Sequence, residues 1–481
     1  MTPTLAAALH PEGVLRSPGR DALSTMELIG LAERLADAVR IPGSAAPQRI
    51  WLATDDPALL LPAALTLADG HSCLLVSAAL KPPEYDRLAE TTWPDLVLTD
   101  PGAAGLWQWA KQRQAACAEI GALLARETVT VEPGAGEAGA PGIGFFTSGT
   151  TGRPKHIGFT PAQIVTAAGG VADRLRLCPA DTGLALSPLN HTLGFVTTVL
   201  APLLRGGRVT VGGVRDVAAL AEVTERDRPT WCASVPAVLS QLQRLSESGR
   251  ISLPELRLLR GSAAALGARR QVALAEHFGV PVVSAYVMTE APGELASQGL
   301  PPEVATPGTV GHPTLCEIEV RDEQGRVVTG EPGEIWARGA IISAGARTVE
   351  GWLPTADLGV RAANGELTVL GRLDDVINCG GENVLAYEVE TAAQSCPGVT
   401  EAVAYPVPDE LLGATVGLVL TASPGVTRSQ LRKHLMGLLS TQKLPRTFLA
   451  VEDIPRTPRG KISRRQLHTQ LAALASVTEL P

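Results

Sequence analysis

FFTSGTTGRPKHIG, residues 145–158, carries a short apolar run into a loop where six of nine residues, 147–155, are Gly, Ser or Thr. Thr147, Ser148, Gly149, Thr150, Thr151 and Gly152 supply hydroxyls, backbone N–H groups and close backbone clearance, and Lys155 adds a positive charge. Such a loop suits a polyphosphate, because small residues let the main chain approach the oxygens. It is not a Walker A loop: Gly152 is followed by Arg153-Pro154-Lys155, which breaks the G-x-x-x-x-G-K-[ST] spacing.

Upstream, residues 49–54 (RIWLAT), 72–76 (SCLLV) and 95–99 (DLVLT) read as strands, and 28–39 and 105–124 as helices. Strand–helix alternation of this kind favours parallel sheets with helical crossovers. Residues 132–144 (EPGAGEAGAPGIG) read as a flexible surface connection into the loop. Downstream the alternation resumes: 161–176 and 236–245 as helices, 182–186, 208–211 and 230–233 as strands. From about residue 308 the texture becomes β-rich, with strands expected at 317–321, 333–337 and 366–370. Residues 374–481 have their own αβ pattern: helices at 386–395 and 428–439, strands at 399–405 and 415–421. The expected fold is therefore α/β. A large N-terminal domain of αβ layers with a β-rich subdomain (1–373) precedes a small α+β C-terminal domain (374–481).

Composition narrows the function classes. A chain of 481 residues exceeds one ordinary core, and 45% hydrophobic with 19% charged residues excludes wholesale disorder. A net charge of −8 counts against a nucleic-acid binder, which would need a basic face to release counterions from phosphates, and none is expected as a partner. The seven cysteines (Cys73, Cys117, Cys178, Cys232, Cys316, Cys379, Cys396) contain no C-x-x-C pair, which reads as reduced thiols in a cytoplasmic protein. Residues 1–13 lack a signal-peptide pattern, and no run of about 18 apolar residues predicts a membrane span.

Six further segments are notable: SPLNHTLG (187–194), RGSAAAL (260–266), AYVMTE (285–290), TADLG (355–359), GRLDDVINCGGENVLAYEVE (371–390) and PRTPRGKISR (455–464). Alone, each has an ordinary structural explanation: a core histidine, a strand end, a turn, a solvated basic face. With the Gly/Ser/Thr loop, and in this order, they resemble the adenylate-forming superfamily of acyl-CoA synthetases, peptide-synthetase adenylation domains and luciferases. The resemblance covers about residues 145–467.

That resemblance implies a role for each segment. Thr147 to Gly152 and Lys155 would hold the ATP phosphates, and His191 would line or gate the acyl pocket. Ser262, Ala263 and Ala264 would lie along the adenine, on which Tyr286 would stack. Thr289 would contact the α-phosphate, and Glu290 would hold Mg²⁺. Asp357 would accept from the ribose hydroxyls, and Arg372 would reach ribose or phosphates. Asp374 would be the hinge of a mobile C-terminal domain. Gly380 and Gly381 would form part of a pantetheine tunnel, and Lys461 would neutralise charge building during adenylation.

The implied activity is AMP-forming acid–thiol ligation with ATP/AMP, Mg²⁺ and coenzyme A. The acid would be a small-molecule carboxylic acid; few aromatics and many small residues suggest room for an apolar one. Coenzyme A is the expected acceptor, and a separate carrier protein is the alternative. The chain departs from the family pattern at Ser262-Ala263 (paired glycines in the family), Ala356 (Gly) and Val287 (Gly). With Asn378, Val287 leaves open a variant that only makes thioesters from a supplied acyl-adenylate. Other readings are a non-catalytic nucleotide- or acyl-binding module and a luciferase-like oxidation.

Overall fold

The computed structural model describes residues 4–40, 47–125, 128–130, 142–147, 154–303, 306–379, 382–456, 462, 464–474 and 477–480. The chain divides into two compact units, Met1–Ile318 with Ala337–Leu353, and Glu319–Trp336 with Pro354–Pro481. Most of the β-rich segment thus falls with the C-terminal part, and the expected boundary at 373/374 lies inside the second unit.

The first unit contains a six-stranded and a nine-stranded sheet. In the former, Arg49–Ala53, Ser72–Leu75, Leu96–Thr99, Cys117–Glu119 and Gly142–Thr147 run parallel. Every residue of Ser72–Leu75 and Leu96–Thr99 is buried, as a strand covered on both faces requires. Trp51 stacks on Trp109 with ring centroids 5.4 Å apart, joining strand to helix. The second sheet has a parallel run, Val14–Arg16, Arg208–Val211, Thr182–Ala185, Trp231–Ser234, Leu258–Ser262 and Val282–Met288. Antiparallel strands extend it: Leu23–Ser24 at one end, Ala291–Ser297 and His312–Pro313 at the other.

Local signals set the helix ends. Thr25–Ala38 begins at a capping box between Ser24 and Glu27, and Pro161–Arg174 begins at one between Thr160 and Gln163. The single helix expected over 105–124 is two, Ala104–Gln112 and Ile120–Leu124. Gln114 adopts φ +57°, which ends the first helix, and Cys117–Glu119 then joins the sheet edge. The expected flexible connection at 132–144 is corrected at its end, where strand Gly142–Thr147 begins at residue 142; positions 132–141 lie outside the described residues.

The second unit holds most of a four-stranded sheet made by Glu317–Arg321, Gly333–Arg338, Leu353–Arg361 and Leu367–Arg372. The nine-residue strand Leu353–Arg361 carries TADLG and was not among the expected strands. A further sheet pairs Val376–Cys379 with Glu382–Leu385 and Val399–Asp409 with Gly413–Ala422. Helices Ala386–Gln394 and Arg428–Met436 pack on it, burying Val389, Ala393, Leu431 and Leu435 in a core with Leu418 and Leu420. No described helix is long and apolar enough to cross a membrane.

At the N-terminal edge of the parallel run, three strands are tied together by one carboxylate. Asp181, preceding Thr182–Ala185, accepts from Arg257 Nε at 2.6 Å and from Thr230 Oγ1 at 2.8 Å. Arg257 and Thr230 immediately precede the neighbouring strands. Burial alone would push the Asp181 carboxyl up. Arg257, the Cys178 amide and Thr230 outweigh it and hold the group below its ordinary value. A depressed folded-state pKa contributes stability above the unfolded carboxylate value, about 3.9, and that contribution is lost as pH falls through the folded value. Asp181→Asn is expected to cost about 2–3 kcal/mol at pH 7. Denaturant unfolding across pH checks this: the gap to wild type should narrow below about pH 4.

Candidate functional site

Strand Gly142–Thr147 is paired antiparallel with Lys155–Phe159, and Thr147 stands opposite Lys155. The two ends of the expected phosphate loop are therefore fixed by a ladder, with the Lys155 side chain exposed at its mouth. Ser148, Gly149, Thr150, Thr151 and Gly152 lie outside the described residues. His156 sits beside Phe146, ring centroids 6.1 Å apart, and burial lowers its pKa, favouring the neutral ring.

Three other segments leave the C-terminal edge of the nine-stranded sheet, the edge where open α/β sheets bind ligands. Residues 187–194 follow strand Thr182–Ala185. They fold back so tightly that a Cβ on Gly194 would sit 2.1 Å from the Pro188 carbonyl oxygen. A π-helix, Leu193–Leu200, then begins, with the Phe195 amide donating to the His191 carbonyl at 2.9 Å. Such helices are rare and often mark functional positions. His191 itself is half-buried.

Ser262 ends strand Leu258–Ser262 and is fully buried, in register with Ala285 of the next strand. Ala263 adopts φ +63°, the left-handed region glycine enters at no steric cost. Ala264 follows in the same loop. Tyr286 is buried, opposite Ala296, and the register shifts between Tyr286 and Met288, leaving Val287 at the irregularity. Val287 is not among the described positive-φ residues, so its branched side chain meets no left-handed backbone. Thr289 and Glu290, both half-buried, form the turn to Ala291–Ser297.

Ser343 joins the hairpin to this turn. Its hydroxyl donates to the Gly158 carbonyl at 3.0 Å and its amide to the Glu290 carbonyl at 2.9 Å. Gln163 supports the same segment by donating to the carbonyls of Ala340 and Ile342 at 2.8 and 3.0 Å. The sequence reading missed both residues, because AIISAGAR has no distinctive composition and its partners lie far away in the chain.

Below Ser262 on the same strand, Arg260 pairs with Glu294 at 2.9 Å, and both side chains are fully buried. Burial pushes the Glu294 carboxyl up and the Arg260 guanidinium down, and each group counteracts the shift in the other. Removing either partner would leave an uncompensated buried charge.

In the second unit, Asp357 and Arg372 stand opposite each other in their ladder, Arg372 Nε donating to Asp357 Oδ1 at 3.0 Å. The pair is accessible from one side, with Arg372 46% and Asp357 9% exposed. The preceding Ala356 has φ +57°, and its amide donates to Glu334 at 3.1 Å, which also accepts from Trp336 Nε1 at 2.9 Å. Two departures from the family pattern, Ala263 and Ala356, thus keep the backbone that glycine would adopt. Asp374 lies in the short 3₁₀ turn Leu373–Asp375. Gly380, Gly381 and Lys461 lie outside the described residues.

No group of three or more His, Cys, Asp or Glu side chains forms a metal cage among the described residues. A half-buried Glu290 in a turn is a single hard oxygen donor, which fits Mg²⁺ because that ion takes one or two carboxylates and completes its shell with substrate phosphates and water.

Comparison with known proteins places this geometry. Residues 67–345 match the family described as AMP-binding enzyme, and residues 388–461 match the AMP-binding enzyme C-terminal domain. The chain belongs to the AMP-binding enzyme family. It is 33% identical over 341 residues to a sulfoacetate–CoA ligase of Cupriavidus necator, covering 68% of this chain and 67% of that protein. It is 30% identical to an oxalate–CoA ligase of Arabidopsis thaliana, over 67% of this chain and 66% of the relative. A fatty acid–[acyl-carrier-protein] ligase of Mycobacterium marinum matches at 28% over 98% of this chain and 96% of its own. The fold is that of ATP-bound MatB from Rhodopseudomonas palustris, with TM-score 0.85, 24% identity and coverage of 98% and 99% of the two chains. As a member of this family with CoA ligases as relatives, the chain is an AMP-forming acid–thiol ligase acting with ATP/AMP.

Because alanine pays about 1–2 kcal/mol in the left-handed region and glycine does not, Ala263→Gly and Ala356→Gly should each raise stability. The greater unfolded-chain entropy of glycine offsets part of that gain, leaving about 0.5 kcal/mol. Thermal unfolding of the two variants checks this, and a fall in midpoint at either position would contradict the strain assignment.

Proposed function

We propose that this chain activates a small-molecule carboxylic acid with ATP as an acyl-adenylate and passes the acyl group to coenzyme A. What supports the reading most is Ser343, which fixes the Glu290 turn to the strand returning from the phosphate loop. Triphosphate and carboxylate recognition then share one rigid frame, as an in-line attack requires.

In the first half-reaction a carboxylate oxygen of the acid attacks the α-phosphorus, and the bond to pyrophosphate breaks. Thr147, the loop that follows it and Lys155 hold the phosphates, Thr289 donates to the α-phosphate, and Tyr286 with residues 262–264 holds the adenine. Asp357 accepts from the ribose hydroxyls, with Arg372 fixing its carboxylate. Bound at Glu290, Mg²⁺ would neutralise phosphate charge. Lys461 stabilises the charge building at the α-phosphate. In the second half-reaction a thiolate attacks the acyl carbon and AMP departs. The C-terminal domain turns about Asp374, withdrawing Lys461 and bringing Gly380 and Gly381 alongside the pantetheine arm.

Val287 does not sit in the left-handed region, which removes the backbone argument for a thioester-only variant; its side-chain volume keeps that variant as the alternative to test. His191, at the entry to an apolar, fully buried π-helix, is assigned to the acid side of the site. Composition favours an apolar acid, whereas two relatives are named for oxalate and sulfoacetate, so a substrate panel spans both classes. The carrier-protein ligase among the relatives makes a carrier thiol the second acceptor to test.

Lys461→Ala separates the half-reactions. Acid-dependent pyrophosphate release is expected to fall by about 100-fold or more, while thioester formation from synthetic acyl-adenylate stays within a few-fold of wild type. Equal loss of both would refute the assigned alternation.

A further inference from the structure

The helix after the Lys461 motif, Arg464–Ala472, begins with a residue that is unfavourable there. An arginine at a helix N-terminus opposes the macrodipole, and Arg464 is also only 20% exposed. Two carboxylates hold it. Its NH1 donates to Asp375 Oδ2 at 2.8 Å, and its NH2 to Glu390 Oε1 and Oε2 at 2.8 and 3.1 Å. Glu390, on helix Ala386–Gln394, also accepts the Ala404 amide at 3.0 Å. Burial pushes the Glu390 carboxyl up, and Arg464 counteracts it.

This network is not what folds the helix. Leu467 and Leu471 are buried against Val403, Tyr405 and Val419, and that apolar contact seats the helix body. An intact ion-pair cluster adds little net stability over apolar packing of the same volume. What it adds is a fixed direction for the first residue of the helix, three positions after Lys461. Asp375, its other end, directly follows Asp374, and Asp375 and Arg464 line a small cavity together with Arg372 and Tyr387. One guanidinium therefore connects the turn at the expected hinge with the start of the helix that follows the catalytic lysine.

We propose that Arg464 is a positioning residue for adenylation: its clamp on Asp375 and Glu390 ties the start of helix Arg464–Ala472, three positions after Lys461 in the sequence, to the residues that follow the expected hinge. The proposal rests on the two-step reading above. Arg464 is assigned no contact with a reacting atom; its effect on adenylation runs through the helix start that follows Lys461 in the sequence.

Asp375→Asn tests it, because it weakens the hinge arm and leaves Arg464 paired with the more buried Glu390. The kcat for acid-dependent pyrophosphate release should fall by about tenfold, with KM for ATP within about twofold, since a small misplacement of a catalytic group costs rate rather than binding. Thioester formation from synthetic acyl-adenylate should change by less than about threefold, and the protein should remain folded at the assay temperature, because Arg464 keeps its pair with Glu390. Arg464→Lys, which keeps the charge and loses the fork, should show the same kinetic split. Wild-type rates in both half-reactions of both variants, or a parallel fall of both with a lowered midpoint, would overturn the positioning role. Wild-type protein that makes thioester from acyl-adenylate but no adenylate from any acid would overturn the two-step reading itself, and the task assigned to the clamp with it.

Discussion

Parallel strands in one sheet present their C-terminal ends on one side, and the loops that matter in the first unit inherit their relative positions from that constraint. Ser234 stands beside Gly261 and Ser262 beside Ala285, so the segments after Leu258–Ser262 and Val282–Met288 leave the sheet one strand spacing apart. Segment 187–194 leaves the same edge two strands away. The opposite edge is tied by Asp181, which accepts from Thr230 and Arg257. Ser343 then locks the hairpin of Gly142–Thr147 and Lys155–Phe159 to the turn carrying Glu290, supplying through two hydrogen bonds what sheet geometry does not.

Much of this was legible in the sequence, for identifiable reasons. Strands such as 72–75 and 96–99 are continuous apolar runs bounded by turn residues, and capped helices such as 161–174 announce their starts. The motif segments stand out in the sequence because small-residue loops, acids and a lysine in that order are what nucleotide chemistry is expected to need, and the family they point to is the one that matches. Features set by tertiary pairing were not. Strand Leu353–Arg361 contains Pro354, Ala356 and Gly359, which weaken local strand propensity, and it is held by partners on both sides. The break in the expected helix at 105–124 depends on Gln114 entering the left-handed region, which no local pattern signalled. Ser343 acts through carbonyls 185 and 53 positions away in sequence.

The departures from the family pattern divide by backbone demand. At Ala263 and Ala356 the chain retains the left-handed conformation and accepts a methyl group in it. Val287 does not enter that region, so the substitution there changes side-chain volume and leaves no left-handed strain. The difference is therefore one of backbone at the two alanines and of side-chain volume at Val287.

The most direct test of the central claim is mass spectrometry of two parallel reactions with wild-type protein. One contains a panel of apolar and small polar acids with ATP, Mg²⁺ and coenzyme A; the other contains the matching synthetic acyl-adenylates with coenzyme A alone. The account predicts the same acyl-coenzyme A in both, with AMP formed in each. Thioester from the adenylates alone would contradict it.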